Sequence, residues 1–189
     1  MAARRLLRLL LVALLLLLAA GAGAQQYPLQ LEREFANFPP RAAGFERWRI
    51  FAYAPGLDDV SVGYAQREPV PIVATLYFYK GARYLPVAAQ QFEQEKATIE
   101  QSYAGARKLS EETITLKKGG REYPAFRATY RFSARFLGEP EEVYSELLFW
   151  TVGDHYVKLR STARSRDGAE AAPRNRELLD AIDWTRPIQ

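Results

Sequence analysis

The stretch TITLKKGGREYPAFRATYRFSARF, residues 113–136, decides the fold. Gly119-Gly120 separates two runs rich in β-branched and aromatic residues, the signal of a β-hairpin with a two-residue turn. Pairing outward from that turn sets Ile114 and Leu116 beside Ala125 and Tyr123. Beyond Pro124 the apolar positions change parity, to Phe126, Ala128, Tyr130, Phe132, Ala134 and Phe136. Side chains alternate across a strand, so a change of parity calls for a bulge or a break. Pro124 has no N–H to give a ladder, and the sequence predicts the break there.

A second hairpin follows. VYSELLFWTV (143–152) and HYVKLRSTAR (155–164) flank Gly153-Asp154. The first run is apolar at both parities apart from Glu146 and small polar groups, which predicts a central strand covered on both faces. Residues 137–142 read as a long connection. Upstream, Phe45–Tyr53, Val60–Ala65 and Ile72–Tyr79 read as strands, the first two joined by a turn cluster at residues 54–59. Pro69 and Pro71 suit a sheet edge or a strand entry.

Pro86–Ala106 is the best helix. Val87, Phe92, Ile99, Tyr103 and Ala106 recur near helical spacing, and Glu93, Glu95, Lys96 and Glu100 fill the other face. Residues 165–175 read as a polar loop, and Arg176–Asp183 as a short C-terminal helix. Strands, helix, strands, helix, with tight turns between strands, predict an α+β domain over residues 45–189 built on a mostly antiparallel sheet.

The first residues point to export. Arg4, Arg5 and Arg8 precede an apolar run, and Ala22-Gly23-Ala24 is a small-x-small cleavage site, the anatomy of a secretory signal peptide over residues 1–24. The competing reading is an uncleaved anchor. The run from Leu6 to Ala20 is 15 residues, whereas a span needs about 20. Residues 25–44, with Pro28, Pro39 and Pro40, read as an extended lead-in that could hold a short helix near Glu32–Phe38. Cleavage near Ala24 predicts a periplasmic or secreted protein with no membrane span in the mature chain.

The leader also distorts the charge. The whole chain carries 26 basic and 22 acidic side chains; without the three leader arginines the balance is 23 against 22, a net charge of +1. Nucleic-acid binding is therefore not indicated. There is no cysteine, which closes disulfide, thiol-nucleophile and thiolate-metal chemistry. Charged residues at 25% and aromatics at 13% fit a folded domain.

No catalytic or cofactor signature stands out. His155, the single histidine, follows a turn, and Asp154 beside it is expected on the opposite side of the strand. Asp58-Asp59, Glu111-Glu112 and Glu141-Glu142 lack calcium-loop spacing. Gly119-Gly120 lacks the following helix that a phosphate loop needs. No catalytic, cofactor or metal residue is assigned.

One constellation points to binding. Arg127, Arg131 and Arg135 share a face of their strand, as do Lys158, Arg160 and Arg164 of theirs. Pairing Tyr130 with Trp150 and Phe132 with Leu148 would place Arg131 beside Phe149, and six cations would flank Leu147 and Phe149. Such a surface would receive an anionic small molecule or an acidic protein partner. A register one residue off would instead mix the arginines with Leu148 and Trp150. The plain alternative is a sheet face whose cations snorkel and pair with acids of the C-terminal segment. Tyr53, Tyr64, Tyr77 and Tyr79 form a second candidate, as a pocket lining or as core margin.

The order of elements resembles the PsbP-like superfamily. The likeness rests on three early strands (Phe45–Tyr79), one long helix (Pro86–Ala106), a later meander (Thr113–Arg164) and the closing LLDAIDW (178–184). It implies an α/β/α sandwich and a non-catalytic accessory role, since the better-known members work by binding partners. Three functions are then open: an exported binding or accessory domain, a periplasmic enzyme using carboxylate, tyrosine or lysine chemistry around Glu146, and an envelope-assembly component held by strand addition near Pro69 and Pro71.

Overall fold

The structure is a computed structural model that describes residues 35–53, 59–81 and 87–186. The expected signal peptide, the first part of the lead-in and most of the 54–59 turn lie outside the described residues. The elements are β1 (Arg41–Ala42), β2 (Phe45–Ala52), β3 (Asp59–Gln66), β4 (Ile72–Lys80), α1 (Val87–Ser102), β5 (Arg107–Lys118), β6 (Arg121–Phe136), β7 (Glu139–Val152), β8 (His155–Arg164) and α2 (Gly168–Ala181). All eight strands form one antiparallel sheet in the order β1-β2-β3-β4-β8-β7-β6-β5.

That sheet overturns the expected α/β/α sandwich. Eight strands at about 4.8 Å spacing span roughly 34 Å, while a helix is only about 10 Å across. One helix on each face covers a strip, not a layer. The fold is β-rich, with two short helices among the described residues. Neither helix is long and apolar enough to cross a membrane.

The two faces bury different parts of the same strands. On one, the α1 face, Phe92 and Ile99 of α1 pack on Ala128, Tyr130 and Phe132 of β6, Leu147 and Phe149 of β7, and Tyr156 of β8. On the other, the α2 face, Trp150 meets Trp184 edge-on at 5.2 Å, and Phe38 meets Phe78 at 5.2 Å. Phe35 and Phe38, in the expected lead-in, are fully buried, so the packed domain starts before Phe45.

This double burial removes the expected break at Pro124. The β5–β6 register runs unshifted from Lys118↔Arg121 past Thr115↔Pro124 to Ser110↔Thr129, and its one irregularity lies between Lys108 and Ser110. Tyr123 packs on Trp184 at 4.9 Å and Ala125 sits opposite Trp150, both on the α2 face. Phe126 to Phe136 point to the α1 face. The apolar set changes sides because the covering element does, and no residue is bulged out to achieve it.

The long connection at 137–142 is also corrected. Leu137 (φ 52°) and Gly138 (φ 95°) make a two-residue turn, and β7 starts at Glu139 opposite Phe136. Left-handed values at both turn positions match the twist of a hairpin. This turn sets Phe126 opposite Phe149, Arg127 opposite Leu148 and Arg131 opposite Tyr144. The expected pairs Tyr130–Trp150 and Phe132–Leu148 do not form, and Arg131 does not lie beside Phe149.

Two further boundaries moved. β4 is paired on both sides, by β3 and β8, and starts at Ile72, so of the two expectations for Pro69 and Pro71 the strand entry holds and the sheet edge does not. α2 begins eight residues before the expected Arg176 and runs through Pro173. Ala171, Asn175, Leu178 and Leu179 are its buried side, a helical stripe whose first members are a small and a polar residue. Gly168 permits the start, since a Cβ there would lie 2.8 Å from the Tyr144 ring.

The Leu137–Gly138 turn carries a test. Leu137 holds a left-handed conformation that disfavours a branched side chain, and it is 61% exposed. Leu137→Asn should raise stability by about 1 kcal/mol, read as a higher urea midpoint at an unchanged slope.

Candidate functional site

The turn at Leu137–Gly138 separates the six cations. Arg127, Arg131 and Arg135 stand on the α2 face. Lys158, Arg160 and Arg164 stand on the α1 face with Phe149, which lies opposite Lys158, and Leu147, which lies opposite Arg160. The single basic floor expected from the sequence does not exist.

Most of these charges are already matched. Arg164 Nε lies 2.9 Å from both Glu141 oxygens. Arg135 donates to Gly138 O at 2.7 Å. Lys158 Nζ donates to Glu95 Oε2 of α1 at 2.8 Å. Arg131 Nε is 3.9 Å from Glu142. The acids come from the sheet and α1, not from the C-terminal segment.

Arg127 belongs to a buried network. Its Nε donates to Glu146 Oε1 at 2.5 Å, one terminal nitrogen donates to Glu112 at 2.5 Å, and the other reaches Tyr144 Oη at 3.3 Å. Asn175 Nδ2 of α2 donates to Glu146 Oε2 at 2.7 Å and to Ser161 Oγ at 2.5 Å. Burial pulls the Arg127 guanidinium down, but its bonds to Glu146 and Glu112 and the Glu146 charge together lift it above its ordinary value. Burial, then the Glu146 charge, push the Tyr144 hydroxyl up to about 12, so it remains a neutral group. Glu146 is buried as a catalytic acid would be, yet both its oxygens are taken. The network pins α2 to the sheet. Beside it, a groove of about 450 Å³ is lined by Arg127, Arg131, Tyr144 and Arg166.

The α1 face offers a different arrangement on the half that α1 does not cover. One rung crosses the sheet as Arg49, Gly63, Thr75 and Arg160, and the next as Phe51, Ser61, Tyr77 and Lys158. A register shift between Arg47 and Arg49 brings Trp48 to this side. Its indole lies over Gly63, where a Cβ would stand 2.8 Å from the ring. Trp48 is 52% exposed, Phe51 38% and Tyr53 50%. The Arg49 guanidinium stacks 4.5 Å above Trp48, and Lys158 Nζ lies 4.2 Å from the Tyr77 ring centre.

Arg160 is the exceptional group. Its Nε donates to Ser145 Oγ at 3.0 Å, and its guanidinium lies 5.5 Å from the Tyr103 ring centre. Burial pulls it below the usual arginine value, with Tyr103 and Tyr77 opposing that. No carboxylate of the described residues forms an ion pair with Arg160 or with Arg49. Glu95, the nearby acid, is held by Lys158 and by Tyr79, whose hydroxyl donates at 2.8 Å. Burial and the neighbouring Tyr53 raise Tyr77, while Arg49 and Arg160 lower it. The Tyr77 hydroxyl therefore sits within the field of both arginines.

Of the four tyrosines singled out by sequence, Tyr53, Tyr77 and Tyr79 share this face. Tyr64 does not; it is buried on the α2 face and donates to Pro39 O at 2.9 Å. Trp48, Arg49 and Phe51 were not legible as a site, because the register shift hides that Trp48 and Arg49 point the same way. Gly63 in mid-strand was the available signal of close approach. His155 Nδ1 lies 2.9 Å from Asp154 Oδ1: Asp154 is in the turn, so strand alternation does not separate them. No group of three or more His, Asp and Glu side chains converges for a metal ion among the described residues.

No protein-family model matches the chain, and no curated protein matches it.

The Glu146 network yields a second test. Glu146→Ala leaves the Arg127 guanidinium with Glu112 as its acid partner and should cost about 1.5–3 kcal/mol, the loss of a charge-assisted bond. Asn175→Ala removes neutral donors and should cost about 1–3 kcal/mol. Urea unfolding of both and of the double variant should give a sum larger than the double, because the residues act through one carboxylate.

Proposed function

We propose that the protein is an exported binding domain whose ligand is an organic anion with a flat apolar body, seated on the open half of the α1 face. One observation carries the reading: among the described residues no carboxylate forms an ion pair with Arg160, a half-buried guanidinium, or with Arg49 on the same rung. Taking a guanidinium out of water costs several kcal/mol unless an opposite charge accompanies it. A ligand carboxylate, sulfonate or phosphate supplies that charge through a fork of parallel N–H bonds.

The floor between the two arginines supports the rest of the ligand. β2 and β8 stand roughly 14 Å apart at three strand spacings. Thr75 and Gly63 keep the rung low between them, and Trp48, Phe51 and Tyr53 offer rings to water. Exposed aromatics beside cations suit a body that stacks and a head that carries charge. The α2-face groove is the weaker candidate, since each arginine in it has an acid within reach.

Export rests on the leader pattern, and an accessory role is what the PsbP-like resemblance implies. The reading of Glu146 as a catalytic acid required an unpaired carboxylate. Its two oxygens hold Arg127 and Asn175, so that motive is gone.

Trp48 makes the test direct. The chain has three tryptophans, and Trp150 and Trp184 are buried, so quenching by a bound ring reports on Trp48. Titration with 1-naphthoate should quench saturably, and neutral 1-naphthalenemethanol should bind at least tenfold more weakly. Arg160→Met should weaken naphthoate binding tenfold or more, the loss of one charge-assisted contact. Arg135→Ala, on the opposite face, should leave it unchanged. Absence of saturable quenching, or equal binding by Arg160→Met, would overturn the reading.

A further inference from the structure

β5 closes one end of the sheet. No described strand pairs on its outer side, and the other end of the sheet is the two-residue β1. β5 runs for 12 residues, exposed from Arg107 to Thr113. About half its N–H and C=O groups point away from β6, toward water. An edge this long is a template for another strand, and natural edges are blocked by charge, proline or a bulge.

The charges on β5 are segregated. Arg107 and Lys108 open the strand, Glu111 and Glu112 lie in its middle, Lys117 and Lys118 close it, and Thr113-Ile114-Thr115-Leu116 between the acids and the closing lysines carries no charge and no proline. Pairing a second β5 in parallel and in register stacks acid on acid and lysine on lysine. Antiparallel pairing about a two-fold axis does the opposite. In such a pair, opposed residues share a face, so their numbers differ by an even step. An axis at Ile114 sets Glu111 opposite Lys117 twice. An axis at Thr115 sets Glu112 opposite Lys118 twice. Neither axis puts like charges opposite each other.

We propose that two copies of this chain associate through antiparallel pairing of β5 with β5, joining their sheets into one of sixteen strands. The charge pattern disfavours the parallel pair and selects the antiparallel one, whose two-fold interface is self-complementary. Glu111 already holds Lys96 and Lys108, one on each oxygen, and Lys118 Nζ donates to the Leu179 and Asp180 carbonyls of α2, so each cross-axis pair shares its groups with contacts inside one copy. Lys117 and Glu122 form a pair at 2.9 Å with both side chains mostly exposed, worth little in water. Glu112 bonds Arg127 through one oxygen, and a carboxylate accepts more than one donor. The paired segment is about eight residues long on each copy, smaller than a standard interface, so the association depends on concentration. It uses neither the Arg49–Arg160 floor nor its ligand.

The absence of native cysteine makes the geometry measurable. A residue on the axis faces its own copy at about 4.5–5.5 Å between Cα atoms, within disulfide range. Sedimentation of the purified protein across a concentration series should show a monomer–dimer equilibrium. Either Ile114→Cys or Thr115→Cys should cross-link on oxidation, and which one does fixes the axis. Adding Lys117→Glu and Lys118→Glu together makes the edge acidic and should shift the protein to monomer, with loss of the cross-link and an unchanged circular dichroism spectrum. A protein monomeric at every soluble concentration overturns the proposal. So does a dimer that survives the charge reversal and cross-links at neither position.

Discussion

β7 has to be covered twice. From Val143 to Trp150 only Tyr144 escapes full burial, and alternation sends half of those side chains to each side of the sheet. A strand in that position makes sense only with an element packed above it and another below. α1 supplies Phe92 and Ile99 on one side. Trp184, with Leu178 and Leu179 of α2, supplies the other. The neighbouring strands inherit the arrangement: β6 shows its rings to α1 along most of its length and to Trp184 at one end, with no irregularity where the change occurs.

The same constraint dictates how polar groups are treated. Glu146 and Arg160 both lie in the middle of this sheet, one on each face, and both are substantially withdrawn from water. Glu146 is met by an arginine and an asparagine, and the group becomes a fastening for α2. Arg160 is met by a serine hydroxyl and a tyrosine ring; Glu95 acts on it through its charge, and no carboxylate of the described residues forms an ion pair with it. The first is what a protein does with a charge that stabilises its own packing. The second leaves an electrostatic demand open toward the half of the face that neither described helix covers.

Much of this was readable from the sequence. Strands β2, β3, β4, β6 and β8 lie within a residue or two of where alternation and turn residues put them. The Gly153-Asp154 turn set Lys158 opposite Phe149 and Arg160 opposite Leu147, as found. The errors share a physical origin. Leu137 in a left-handed turn breaks the usual residue preference, so a tight hairpin looked like a long loop, and one misread turn displaced every arginine of β6. Gly168, Pro173 and Asn175 each argue against helix, but a close contact with Tyr144 and a buried bond to Glu146 override that preference. The expected helical layers failed on width, a property of strand number that local pattern does not carry. The site was half legible: the Arg160 and Lys158 positions were found, and their true neighbours across β4 and β3 were not.

The ends of the described chain meet on the α2 face. The backbone N–H of Asp183 donates to Asn37 O at 3.1 Å, and Phe35, Phe38 and Trp184 are all sealed from solvent there. The first and last described segments close this face together, Phe38 against Phe78 and Trp184 against Trp150, so trimming either end would open the side of the sheet that the other cannot reach.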